Sequence, residues 1–237
     1  MSYKIIPSKR EQKYVENDWI PDHMPKLPFR MLCIACSQSG KTQTVGALLR
    51  QDEFQYNKIF KGNIFLMSST ARLDDPAFDQ VNLKKENVFD HYDEGVIAEI
   101  IADQEAIIKE RKKEGAPHIL LIIDDLLCEL PQSRQSSLIN LFLSGRHRKI
   151  SVIICSQIFR GCIPKGVRLN TTSMLIWRCN NKEMAAIAEE QQIDSDNFIP
   201  MLEYATAEPY SFLYINNQKS NVNERYYKNF EEQLSIE

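Results

Sequence analysis

The sequence predicts an α/β fold, a mainly parallel β-sheet with helices on both faces. Three observations carry this. Short apolar runs alternate with longer segments of helical spacing, the rhythm of strand–helix–strand units joined by crossovers. Ile119–Ile123 is apolar at every position, as a central parallel strand covered on both faces requires. One strand–helix junction holds Ser39-Gly40-Lys41-Thr42, a turn chemistry that belongs between a strand and a helix. With 237 residues, 43% of them hydrophobic, the chain can bury one sizeable core.

The elements follow in order. Residues 1–27 are polar and punctuated by Pro7, Pro21 and Pro25, with Pro28 just beyond. They read as an extended arm with Tyr14, Val15, Trp19 and Ile20 as apolar anchors. The core is expected over 28–216. Its first strand is Phe29–Ala35, followed by a helix from Gln43 to about Gln51. A second strand covers Asn63–Ser68, and Asn87–Asp90 is a short edge piece. Tyr92–Lys113 places Val96, Ile97, Ile100, Ile101, Ile107 and Ile108 at helical spacing, and Gly115-Ala116-Pro117 ends that helix. The strand Ile119–Ile123 precedes a helix over Ser133–Leu143. Strands are expected over Ile150–Cys155 and Ser173–Trp177, helices over Lys182–Gln191 and Ser195–Ala205, and a last strand over Tyr210–Ile215. The tail, 217–237, is assigned a terminal amphipathic helix over Asn223–Leu234.

Composition excludes some classes. No apolar run approaches the roughly 20 residues of a membrane span, and Met1-Ser2-Tyr3-Lys4 does not begin a signal-peptide pattern. A net charge of −3 argues against a wholly basic nucleic-acid coat, though not against DNA held by a few Lys and Arg. Cys33 and Cys36 have C-x-x-C spacing, but no second pair follows. Most of the six cysteines read as small core hydrophobes in a reducing compartment.

The Ala35–Thr42 junction is a P-loop, identifying a nucleotide-binding fold. Backbone N–H groups of Ser37, Gln38, Ser39 and Gly40, with the helix start at Lys41, Thr42 and Gln43, form an anion cradle. Lys41 can reach the β- and γ-phosphates of ATP, and the Thr42 hydroxyl can hold Mg²⁺. Ala35 replaces the usual first Gly, which is tolerated only where φ is negative. The apolar run ending at Asp124-Asp125 supplies the second half. Asp124 suits the Mg²⁺ shell, and Asp125 could orient and deprotonate an attacking water. Ile150–Cys155 leads into Ser156-Gln157, either of which could sit by the γ-phosphate. Gly145-Arg146-His147-Arg148-Lys149 precedes that strand, at the sheet's opposite edge. Arg146 or Arg148 could enter a neighbouring subunit's site, or the cluster could bind nucleic-acid phosphates. Arg160, Lys165 and Arg168 could line a site, a DNA path or a lid.

In this order the motifs resemble those of viral genome-packaging ATPases of the FtsK–HerA superfamily, found in poxviruses, other large DNA viruses and virophages. The resemblance runs from about residue 28 to 215 and includes Ile163-Pro164, Val167–Asn170 and Tyr210–Tyr214. It implies a RecA/FtsK-like P-loop NTPase fold. It also implies a homo-oligomeric ring, pentamer or hexamer, that hydrolyses ATP with Mg²⁺ and drives double-stranded DNA into a capsid, in partnership with capsid proteins. By position it implies Asp125 as catalytic acid, Gln157 as sensor, and Arg146 or Arg148 as the trans-acting arginine. It places the work in host cytoplasm or a viral factory, at the capsid vertex. Two other readings stand beside it, a nucleotide or nucleoside kinase and a non-catalytic DNA- or capsid-binding protein with a relic P-loop. Guanine recognition by Asn-Lys-x-Asp is not met, since Asn181-Lys182-Glu183-Met184 lacks the Asp.

Overall fold

A computed structural model describes residues 20–54, 56–70, 76–78, 81 and 83–235. The strands are β1 (Arg30–Ile34), β2 (Ile64–Ser68), β3 (Val88–Phe89), β4 (Ile119–Asp124), β5 (Ile150–Ser156), β6 (Ser173–Ile176), β7 (Leu213–Asn216), β8 (Tyr226–Lys228) and β9 (Glu232–Leu234). The helices are α1 (Lys41–Arg50), α2 (Tyr56–Ile59), α3 (Glu94–Gly115), α4 (Ser136–Ser144), α5 (Lys165–Arg168), α6 (Asn181–Gln191) and α7 (Ser195–Ala205). One sheet runs in the order β3-β2-β4-β5-β1-β6-β7-β8-β9. The pairs from β3 through β6 are parallel, and those from β6 to β9 antiparallel. This is the expected mainly parallel α/β architecture.

Every residue of β4 and β5 is buried, which explains their unbroken apolar runs. The pleat sends alternate residues to two cores. Leu32 and Ile34 of β1 join a core built with α3, α4, α6 and α7. Met31 and Cys33 join one built with α1, α2 and residues 20–29. Asp93 caps α3, its side chain accepting from the N–H groups of Gly95 and Val96.

One expectation is narrowed and two are corrected. Residues 20–27 of the expected arm are packed on the chain's own domain, with Ile20, Met24 and Leu27 buried. Tyr214 donates to the His23 carbonyl (2.9 Å) and Tyr56 to that of Pro25 (2.6 Å), so this turn's backbone is satisfied inside the packed layer. Tyr14, Val15 and Trp19 lie outside the described residues. The helix expected over Asn223–Leu234 is replaced by β8 and β9. Tyr226 faces one core and Tyr227 the other, an alternation only a strand produces. Finally, Cys128 and Cys162 form a disulfide. Cys33, Cys155 and Cys179 are buried free thiols as expected, and Cys36 is exposed.

Candidate nucleotide site

The parallel strands all end on one edge, where the connections after β1, β2, β4 and β5 gather. β5 lies between β4 and β1. The tip of β5 therefore separates the phosphate loop from the acidic tip of β4.

Ala35 N–H donates to the Ser156 carbonyl (3.2 Å), and the chain then leaves the sheet. Ala35 is not among the residues with positive φ, so the missing first glycine is tolerated. Gln38 (φ 63°) and Gly40 (φ 87°) adopt left-handed conformations that curl the loop. No side chain caps α1, leaving its first-turn N–H groups and positive dipole end for an anion.

Lys41 is buried and donates to Asp125 Oδ2 at 2.7 Å. Burial works against its charge, but the hydrogen bond to Asp125 and the neighbouring acids leave its pKa raised. The Thr42 hydroxyl donates to Asp124 Oδ2 at 3.0 Å. Burial raises the Asp124 pKa, against the opposing pull of Lys41. Asp124 Oδ1 is buried without a hydrogen-bond partner. An orphaned carboxylate oxygen beside a hydroxyl is a hard-oxygen donor set that fits Mg²⁺. Asp125 donates its N–H to the Cys155 carbonyl (3.1 Å) and has φ 54°. Beyond the last residue of β4, this turn carries its carboxylate to Lys41.

These groups line a cleft of about 560 Å³, with Ser37, Gln38, Ser39, Gly40, Gln43 and Gln157. Gln157 is the β5-tip residue in the cleft. The Ser156 hydroxyl instead turns back onto the Ile158 carbonyl (3.0 Å). Three features were not read from sequence. Ser68-Ser69-Thr70 line the β2 side, Tyr210 lines another side, and the disulfide joins the turn after β4 to the loop after β5. A polar β2 end was the only signal for the first. Tyr210 and the disulfide depend on contacts distant in sequence.

The basic turn lies at the other end of the strands. Arg146 is exposed and reaches His147 Nε2 (3.3 Å). Arg148 is held by Glu105 (2.5 Å) and by Ser144. Arg30, half-buried, donates to the Phe142 carbonyl (2.7 Å), and burial together with nearby Arg146 lowers its pKa. Arg160 pairs with Glu189 (2.8 Å), and Arg168 lies near Glu190 (3.4 Å) and over the Phe159 ring. Neither arginine lines the cleft. Among the described residues no helix is long and apolar enough to cross a membrane.

No curated protein matches the chain significantly. Among solved structures, "EssC (ATPases 2 and 3)" from Geobacillus thermodenitrificans is similar, with TM-score 0.57 and 14% identity over 88% of this chain. The chain spans 40% of that structure. The genome-packaging NTPase B204 of Sulfolobus turreted icosahedral virus 2, solved with ATP-gammaS, gives 0.54 and 11% identity over 89% of this chain and 99% of its own. The pCW3 conjugation coupling protein TcpA, also with ATPgS, gives 0.54 and 13% identity over 89% of this chain and 61% of its own. These likenesses show the P-loop ATPase fold. The family description "Poxvirus A32 protein" matches residues 16–227, and the chain belongs to that family.

Proposed function

We propose that this chain is the motor subunit of a packaging machine, hydrolysing ATP to drive double-stranded viral DNA into a preformed capsid. The observation that carries this is the paired bonding of Lys41 to Asp125 and of Thr42 to Asp124 across the cleft. It sets a phosphate-binding lysine, a metal-type hydroxyl and two acids together, as hydrolysis of a terminal phosphate requires.

In this reading the loop N–H groups and Lys41 hold the β- and γ-phosphates. Thr42 and Asp124 hold Mg²⁺, which when bound neutralises charge on those phosphates. Asp125 orients water and accepts its proton. Gln157 sits at the tip between them and senses the terminal phosphate. Arg146 faces away from its own cleft and reaches a neighbour's site in a homo-oligomeric ring, a pentamer or hexamer. Of the two arginines, Arg148 is already tied to Glu105, so Arg146 takes the role. Double-stranded DNA and capsid proteins are the partners, and the capsid vertex in the host cytoplasm is the place of work.

The test is ATP hydrolysis measured against protein concentration, with and without double-stranded DNA, beside Asp125→Asn. Turnover that rises with both is the expected result, because subunits must meet to share a site. Turnover indifferent to both, or an undiminished Asp125→Asn rate, would overturn the reading.

A further inference from the structure

We propose that Tyr210 is the nucleobase platform of this site and sets its preference for purine nucleotides. The inference rests on the nucleotide reading above and adds the residue that receives the base.

Sheet order sets the direction. β4, with its acidic tip, lies two strands to one side of β1, and β7 lies two strands to the other. Tyr210 comes three residues before β7 and lines the cleft with the phosphate loop. A triphosphate whose terminal phosphate faces Asp125 therefore extends its sugar and base toward Tyr210. The cleft, about 560 Å³, is of the size that takes a whole small ligand, roughly 300–1,000 Å³.

The residue itself is unusual. It is 70% exposed, so burial in the core does not explain an aromatic there. Its φ is 66°, a conformation that non-glycine residues seldom adopt and that tends to persist at functional sites. The backbone is pinned in that conformation. The buried indole Nε1 of Trp177 donates to the Tyr210 carbonyl at 3.1 Å. The ring lies directly on the loop, since a Cβ on Gly40 would meet Tyr210 Cδ1 at 3.0 Å. An exposed aromatic face, fixed beside a phosphate cradle, is the platform on which a base stacks. Stacking reads the face of a base and not its hydrogen-bonding edge, so it tolerates any base and favours the larger purines.

The test is calorimetric binding to the full chain, using a non-hydrolysable ATP analogue, the corresponding UTP analogue and inorganic tripolyphosphate. Tyr210→Ala should weaken the ATP analogue by about ten- to a hundredfold, narrow its advantage over the UTP analogue, and leave tripolyphosphate unchanged. Tyr210→Trp should keep the affinity. Equal loss for the ATP analogue and tripolyphosphate would make the ring a mere support for the loop, overturning the proposal, as would no loss at all. A second measurement needs no variant. The wild-type chain should bind the ATP analogue more tightly than a base-free ribose triphosphate, and equal affinity would overturn the platform. If the wild type binds neither the analogue nor tripolyphosphate, the nucleotide reading fails first and the platform with it.

Discussion

The two ends of the parallel strands differ in how their charges are met. At the C-terminal end, Lys41 is paired with Asp125 and Thr42 with Asp124, all inside one cleft. At the N-terminal end, Arg146 is exposed and lies near a second cation, Arg30, with no carboxylate partner among the described residues. One end is internally balanced, and the other presents positive charge outward. The lesson is that a parallel sheet can carry a closed, charge-paired cleft at one end and an open basic turn at the other, because it holds its two ends apart.

The largest effect expected is that of Arg146→Ala. As a trans-acting finger it should lower turnover about 10³-fold or more while leaving the melting temperature in place, and mixed into wild-type protein it should poison activity beyond simple dilution. Linear dilution in a mixing titration would break the comparison between the two ends. Asp125→Asn comes next, with turnover down about 10²–10⁴-fold and nucleotide still bound, read by single-turnover kinetics beside calorimetry. Severing the link between Cys128 and Cys162 by Cys128→Ser should cost about 2–4 kcal/mol of stability, measured by denaturant unfolding. The smallest effect is that of Arg148→Ala. Its partner Glu105 is half exposed, so the pair contributes at most about 1 kcal/mol and turnover should hold. Lost turnover with an unchanged melt in this variant would move the finger from Arg146 to Arg148.

Legibility followed the range of the forces involved. β4 was readable because burial on both faces leaves Ile119–Ile123 no polar position. The phosphate loop was readable because its chemistry is local to eight residues, Ala35–Thr42. The C-terminal stretch was not. Tyr226, Tyr227, Phe230 and Leu234 recur at spacings that suit one face of a helix. Pairing with β7 instead sends Tyr226 and Tyr227 to opposite cores, and that pairing is tertiary. Tyr210 read as the start of a strand, yet β7 begins at Leu213. Its place over Gly40 depends on a fold that brings together residues distant in sequence. Cysteine pairing was hidden for the same reason, since Cys128 and Cys162 are 34 residues apart. The pairing of Arg148 with Glu105 on α3, which the proposal uses to favour Arg146, was equally beyond reach of the sequence.

On the proposed assignment, the Lys41–Asp125 contact puts the phosphate-binding ammonium and the water-activating carboxylate in one hydrogen bond. An ammonium carries three N–H donors, so phosphate oxygens can engage Lys41 beside Asp125 or in its place. On that assignment, a nucleotide that draws the bonded N–H away from Asp125 leaves the carboxylate free to face the attacking water. The first event at the site is, on the same assignment, a redistribution of hydrogen bonds at a single nitrogen.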